Sequence, residues 1–362
     1  MELSTENLNV QAGLEADVVV HPVQGTPKQE FHVEVCLEPA EKVQNVGIFE
    51  GDDGNVHVKF IPVVPGTYDI FINSDKLVDS HFTVQAEERR IDIVSKFDLK
   101  GDIPRQPIGI AVNSQGLIAV ADIHRHCIFI FSEKGDFLRT LGCYGKNPGQ
   151  MSSPVGVTFL NDDEILVADQ LNHRIQQFNV QRGTFSQSFG EEGIGEGEFK
   201  NPVSVCMDGE GHVIVADCLN NRIQVLTQDG EPVLRFGDSG PGKLDHPFGC
   251  VSHRGRFIVS DSWNNCLKVF DSSGKFLNKI GAKGDADGLL YSPWGLCVEK
   301  YGNQQNLLVC DGSNGRIQQF TMEGRFTGKT VCKLQYPTAL TTAPDGRILL
   351  CDLEMGKVCI LK

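Results

Sequence analysis

The chain has 362 residues, of which 40% are hydrophobic and 22% charged, with 39 glycines and a formal net charge of −14. This composition supports a buried core and excludes a disordered chain. The acidic excess argues against a protein whose whole surface binds nucleic acid, and no apolar run approaches the roughly 20 residues that cross a bilayer.

The first residues, Met1 to Glu6, have neither a basic region nor an apolar stretch and do not read as a signal peptide, which points to a cytoplasmic protein. The twelve cysteines include no C-x-x-C pair, so they read as buried thiols of a reducing compartment rather than as a zinc or disulfide framework. No metal and no cofactor is expected. Charge divides the chain: residues 1–90 carry a net −10 and residues 91–362 a net −4, which suggests two domains. Residues 1–8 read as a tail, 9–86 as a β-sandwich of about seven short strands, 87–90 as a linker and 91–362 as a repeat domain. In the sandwich, the acidic turn Asp52-Asp53-Gly54 leads into the alternating strand Val56 to Ile61. Pro65-Gly66-Thr67-Tyr68 follows, with Tyr68 expected to place its ring in the core and its hydroxyl on backbone.

Residues 91–362 repeat. An aspartate closes an apolar run six times, at Asp122, Asp169, Asp217, Asp261, Asp311 and Asp352, with spacings of 47, 48, 44, 50 and 41. Upstream of each stands a Pro-x-small triplet, such as Pro107-Ile108-Gly109 or Pro202-Val203-Ser204. Downstream come a turn, a third strand and a fourth strand. Four short strands per unit of about 45 residues predict propeller blades. The expected fold class is therefore all-β, a six-bladed β-propeller preceded by a sandwich. The sixth unit ends after its third strand, and the segment 91–97 is expected to supply the fourth and close the ring.

Asn172-His173-Arg174-Ile175 after Val167-Ala168-Asp169 resembles the NHL repeat, as do Asn220-Asn221-Arg222-Ile223 and Asn314-Gly315-Arg316-Ile317. Unit 4 departs with Cys266 at the arginine position, unit 1 with Cys127 and Arg125 two places early, and unit 6 with Lys357. The first domain resembles a filamin-type immunoglobulin-like repeat. That order is similar to the C-terminal part of tripartite-motif (TRIM) NHL proteins. The resemblance implies a recognition module for RNA or for protein partners, including ubiquitination substrates of a ligase whose RING is absent from this chain. It does not imply an enzyme.

The residues give no catalytic constellation. There is no Gly-x-Ser-x-Gly elbow and no phosphate cradle ending in Lys-Ser/Thr. Six recurring aspartates read as architecture, with Arg174, Arg222 and Arg316 as partners five positions on; a channel metal enzyme is the competing reading.

The entry loop before the first strand and the turn between strands two and three share one face of such a fold, where recognition usually resides. On that face Lys100, Arg105, His124, Arg125, His126, Lys146, His173, Arg174, Lys329, Lys333 and Lys357 form an expected basic arc over units 6, 1 and 2. Glu191, Glu192, Glu196 and Glu198 make unit 3 acidic. Tyr144, Phe248, Trp263, Tyr291, Trp294 and Tyr336 either rim a pocket or pack between units. RNA bound through the arc, with bases stacked on the rings, is the first expectation; a protein partner is the second. DNA and membranes are not expected partners.

Overall fold

Each repeat alternates short runs of Val, Ile, Ala and Phe with turns rich in Gly, Asn and Asp, and those runs form strands. A computed structural model describes residues 10–20, 32–37, 41–43, 46–50, 55–74, 77–97, 101–301, 304–330 and 333–361. Among the described residues the secondary structure is strand apart from three single-turn 3-10 helices, and no helix is long and apolar enough to cross a membrane. The chain falls into two units: 1–90 with 300–306 and 319–329, and 91–299 with 307–318 and 330–362.

In the first unit, one sheet pairs Val10–Gln11, Leu77–Glu87, Gly66–Ser74, His32–Leu37 and Glu41–Lys42. A second pairs Ala16–Val20, Val56–Phe60 and Gly47–Glu50. Val18, Val58 and Phe60 from one sheet and Val35, Tyr68 and Ile70 from the other share one buried cluster. The Tyr68 ring is buried, and its hydroxyl donates to the Val64 carbonyl at 2.8 Å and accepts from the Val64 amide at 3.2 Å. The acidic turn 52–54 lies outside the described residues.

The repeats form antiparallel four-stranded sheets in sequence order, as in Pro107–Val112, Ile118–Asp122, Cys127–Phe131 and Phe137–Leu141. The second and third strands are buried on both faces, whereas outer strands such as Thr184–Phe189 alternate exposed and half-buried. This is the pattern of sheets stacked against neighbours on both sides. Two sheets recruit chain from outside their repeat. Ile93–Lys96 pairs with Lys357–Leu361, and Arg89–Ile91 adds a fifth strand beside Phe326–Thr330.

The Pro-x-small triplets have two physical reasons. Pro107, Pro154, Pro202, Pro247 and Pro337 each face the repeat aspartate at the end of the ladder, after which the register shifts. A residue without an N–H is tolerated at that position. The small residue is needed because adjacent first strands meet backbone to backbone. A Cβ on Gly156 would lie 2.7 Å from Ser204 Cα, and one on Gly295 would lie 2.8 Å from Ala339 Cα. A Cβ on Gly109 would strike the Val155 carbonyl. First strands of all the repeats line a common cavity of about 390 Å³, whose walls, among the described residues, carry no carboxylate, imidazole, ammonium or guanidinium.

Gly156→Ala should therefore cost about 1–3 kcal/mol in urea unfolding, the usual price of overpacking. Gly209→Ala, whose Cβ meets nothing within 4 Å, should stay within about 0.5 kcal/mol of the parent. Equal stabilities would contradict the close approach.

Candidate functional site: the entry-loop face

The six repeat aspartates are fully buried and end the second strand of each repeat. Each carboxylate accepts an amide from its own entry loop: Ser152 N reaches Asp169 at 2.7 Å, Lys200 N reaches Asp217 at 2.6 Å and Tyr291 N reaches Asp311 at 2.7 Å. Arg105 N, Asp245 N and Gln335 N do the same to Asp122, Asp261 and Asp352. Asparagines three positions on, Asn172, Asn220, Asn264 and Asn314, donate to the second oxygen of their aspartates.

The arginine five positions on completes the charge pairing. Arg174, Arg222 and Arg316 place Nε 2.9, 2.7 and 2.8 Å from their aspartates. Their remaining N–H groups bind entry-loop carbonyls, such as Asn147 and Gln150 for Arg174. Arg174 is thus a clamp inside its own repeat. Repeat 4 restores the missing cation by another route: Lys268, two residues after Cys266, reaches back to put Nζ 2.7 Å from Asp261. In repeat 1, Arg125 forms a bidentate pair with Asp102 at 2.6 and 2.9 Å, while Asp122 is held by four backbone amides, those of Arg105, Gln106, His124 and Arg125. Burial pushes the Asp217 carboxyl above its ordinary value, opposed by the Lys200 amide, Asn220 and Arg222.

In repeats 1 to 4 the side chain of the residue before the arginine position links the repeat to the next. His126, His173, Asn221 and Asn265 all have left-handed backbones, with φ between 53° and 56°. Asparagine and histidine are enriched in that region. His126 Nδ1 accepts the Ser153 amide at 3.0 Å and His173 Nδ1 the Asn201 amide at 3.1 Å. The side-chain oxygens of Asn221 and Asn265 accept the amides of His246 and Ser292 in the same way. These two histidines, expected in the basic arc, act as acceptors that tie one turn to the following loop.

Other members of the expected arc are dispersed. Lys329 lies in the strand Phe326–Thr330 rather than in an entry loop, with its ammonium 3.6 Å from Glu88. Lys100 lies outside the described residues. His124 and Lys357 are exposed, the latter at the start of a third strand. Arg105, Lys146 and Lys333 are exposed, and among the described residues their charged groups meet no carboxylate.

The expected aromatic rim divides into two sets. Phe248, Trp294 and Tyr336 are half-buried and pack on each other across successive repeats, with centroids 3.8 and 5.2 Å apart. Tyr144, Trp263 and Tyr291 are exposed, Tyr144 to 69% and Trp263 to 64%. The Trp263 indole lies flat on the His246 ring at 3.6 Å and 9°, and Asp245 bonds that imidazole at 2.8 Å. Tyr144 rests against His126, and Tyr291 lies under Lys283.

Sequence reasoning missed the aliphatic members of this face. Leu171 and Leu219 occupy the position of Trp263, two residues after the aspartate, and are exposed; Ile194 in the third entry loop is 76% exposed. The backbone beneath them is fixed: Leu171 N, Leu219 N and Trp263 N each donate to their entry loops, at 3.0, 3.0 and 3.2 Å. The signal was available as apolar residues two positions after Asp169, Asp217 and Asp261, where other repeats carry His124, Ser313 and Glu354.

Asp217→Ala should cost about 3–5 kcal/mol, because it leaves the buried Arg222 guanidinium uncompensated. Lys268→Gln alone should lose about 3 kcal/mol in urea unfolding. Adding Cys266→Arg, which rebuilds the arrangement of repeats 2, 3 and 5, should recover most of it. A double variant no more stable than Lys268→Gln would contradict the substitution of one cation for the other.

The NHL repeat matches residues 105–131, 151–178 and 199–226. The chain is 38% identical over 76 residues to the protein brain tumor of Drosophila melanogaster, a match covering 20% of this chain and 7% of that protein. It is 43% identical over 49 residues to the protein lin-41 of Caenorhabditis elegans, covering 14% and 4%. Solved structures share the fold at low identity. A streptogramin B lyase superposes with a TM-score of 0.54 at 15% identity, over 92% of this chain and 97% of that one. A protein of unknown function from Bacteroides thetaiotaomicron superposes with 0.58 at 14%, over 91% and 90%. A catalytically inactive virginiamycin B lyase from Staphylococcus aureus, with quinupristin, superposes with 0.53 at 16%, over 92% and 99%. The chain carries NHL repeats on an all-β, β-propeller-like fold, with weak similarity to TRIM-NHL proteins.

Proposed function

We propose that the chain is a non-catalytic recognition module. In this reading a filamin-type sandwich precedes a six-bladed propeller whose entry-loop face captures a protein partner. The observation that carries the proposal is the recurrence of exposed apolar side chains on fixed backbone: Leu171, Leu219 and Trp263 at equivalent turn positions of three successive repeats, each with its amide bonded to an entry loop, and Ile194, whose carbonyl is held by Arg222. Exposed apolar side chains on rigid turns lose little entropy on binding and are the usual anchors of protein interfaces. Glu191, Glu192 and Glu196 are exposed in the same entry loop as Ile194, so the fitting partner is a segment with apolar anchors and basic flanks. Capture of substrates for a ubiquitin ligase is the form this function takes in the TRIM-NHL resemblance. The ionisable side chains on the walls of the cavity between the first strands are, among the described residues, the thiols of Cys206, Cys250 and Cys297, with no carboxylate or imidazole beside them, which favours recognition over catalysis.

A peptide-display selection on the whole chain should enrich basic–apolar segments. Trp263→Ala combined with Leu219→Ala should weaken the selected peptides by about 10-fold or more. Unchanged affinity would exclude this face.

RNA binding is a second reading, favoured by the uncompensated Arg105, Lys146 and Lys333 and by the exposed Tyr144 ring. Under it, Lys146→Glu with Arg105→Glu should weaken RNA binding uniformly across sequences and reduce the salt slope by about 0.7 per lost contact to a single strand. RNA affinity insensitive to these changes and to salt would eliminate it.

A further inference from the structure

Repeat 4 has an opening where repeats 2, 3 and 5 are filled. In repeats 2, 3 and 5 a guanidinium occupies the space between turn and entry loop, bonding two or more loop carbonyls. In repeat 4 the residue there is Cys266, and a cavity of about 650 Å³ opens beside it. Lys243 of the entry loop, Lys268 of the third strand and Lys279 of the fourth all line this cavity, together with Asn264 and Asp245.

The charges are not balanced locally. Lys268 is committed to Asp261 at 2.7 Å and to the Lys243 carbonyl. Asp245, whose side chain also lines the cavity, is hydrogen-bonded to the His246 ring at 2.8 Å. Lys243 and Lys279 meet no carboxylate among the described residues. Lys268 and Lys279 are also direct cross-strand partners. Like charges placed opposite each other destabilise a strand pair. The equivalent pairs in repeats 1, 2 and 3 are Phe129–Thr140, Gln176–Ser188 and Gln224–Arg235, none with two like charges. Repeat 4 thus sets three lysines around one open space, Lys243 and Lys279 at its exposed rim and Lys268 within, a concentration of like charge that an anion would relieve.

We propose that this cavity binds a phosphoryl group. Lysine ammonium groups act as point charges with several donors each, and a phosphoryl dianion offers three acceptor oxygens and enough charge to satisfy Lys243 and Lys279 together. The Asn264 side chain supplies a neutral polar wall. The proposal is independent of the apolar face and holds whether or not that face captures a protein.

The test is isothermal titration of the full chain with inorganic phosphate at constant ionic strength, followed by a phosphoserine peptide and its unphosphorylated form. One saturable site is expected. Lys243→Gln and Lys279→Gln should each weaken it by about 10-fold, the loss of one charge-assisted hydrogen bond. Cys266→Arg with Lys268→Gln, which fills the space while keeping the aspartate paired, should abolish binding in a folded protein. A phosphopeptide tighter than free phosphate would identify a modified side chain as the source, and equal affinities would identify the free anion; both support the site. No saturable binding, or the same affinity in the parent and all three variants, would overturn it.

Discussion

The organisation of the repeat domain depends on burying one carboxylate at the end of each second strand. An isolated buried carboxylate would cost several kcal/mol, so it persists only where donors converge on it. Here the donors are the amides of the entry loop, an asparagine and a cation. Because they come from the loop before the repeat and the turn after the strand, satisfying the charge fixes both segments at once. The left-handed residue that follows then passes the constraint to the next entry loop. Loops that would ordinarily be mobile are thereby tied to the sheets on the face where apolar side chains are exposed.

The departures from the repeat show which parts of that arrangement are interchangeable. Repeat 4 replaces arginine with a lysine two residues further on, which keeps the ion pair and one bond to an entry-loop carbonyl, that of Lys243, and leaves a cavity beside Cys266. Repeat 1 uses four backbone amides on Asp122 and releases Arg125 to Asp102. The carboxylate is common to all six repeats, and the means of satisfying it vary. Variation in the partners makes the repeats chemically distinct on one face while the sheets beneath stay alike.

The strand order of each repeat was legible because hydrophobic runs, turns and the Asp spacing recur with one period. The Pro-x-small triplets were visible as a pattern, but their cause, the approach of Gly156 to Ser204 Cα, exists only between repeats. The charges on the loops were harder to read. Residue type announces that Arg174 is cationic, but not that its guanidinium is spent on Asp169 and two carbonyls. His126 and His173 looked like basic groups because a left-handed backbone and an accepting Nδ1 leave no trace in a single sequence. Leu171 and Leu219 stand two positions after the repeat aspartate, and only the structure shows that their side chains are exposed there rather than packed into the sheets. Repeat 4 was readable only as a departure at Cys266; the compensating Lys268 sits two residues further along the third strand, opposite Val259, and only its side chain reaches Asp261.

Native-state amide hydrogen exchange tests the central claim most directly. If the buried carboxylates hold the entry loops rigid, the amides of Ser152, Lys200, Asp245 and Tyr291 should exchange with protection approaching that of the second and third strands. Exchange of those four amides at the rate of unprotected surface loops would contradict the account.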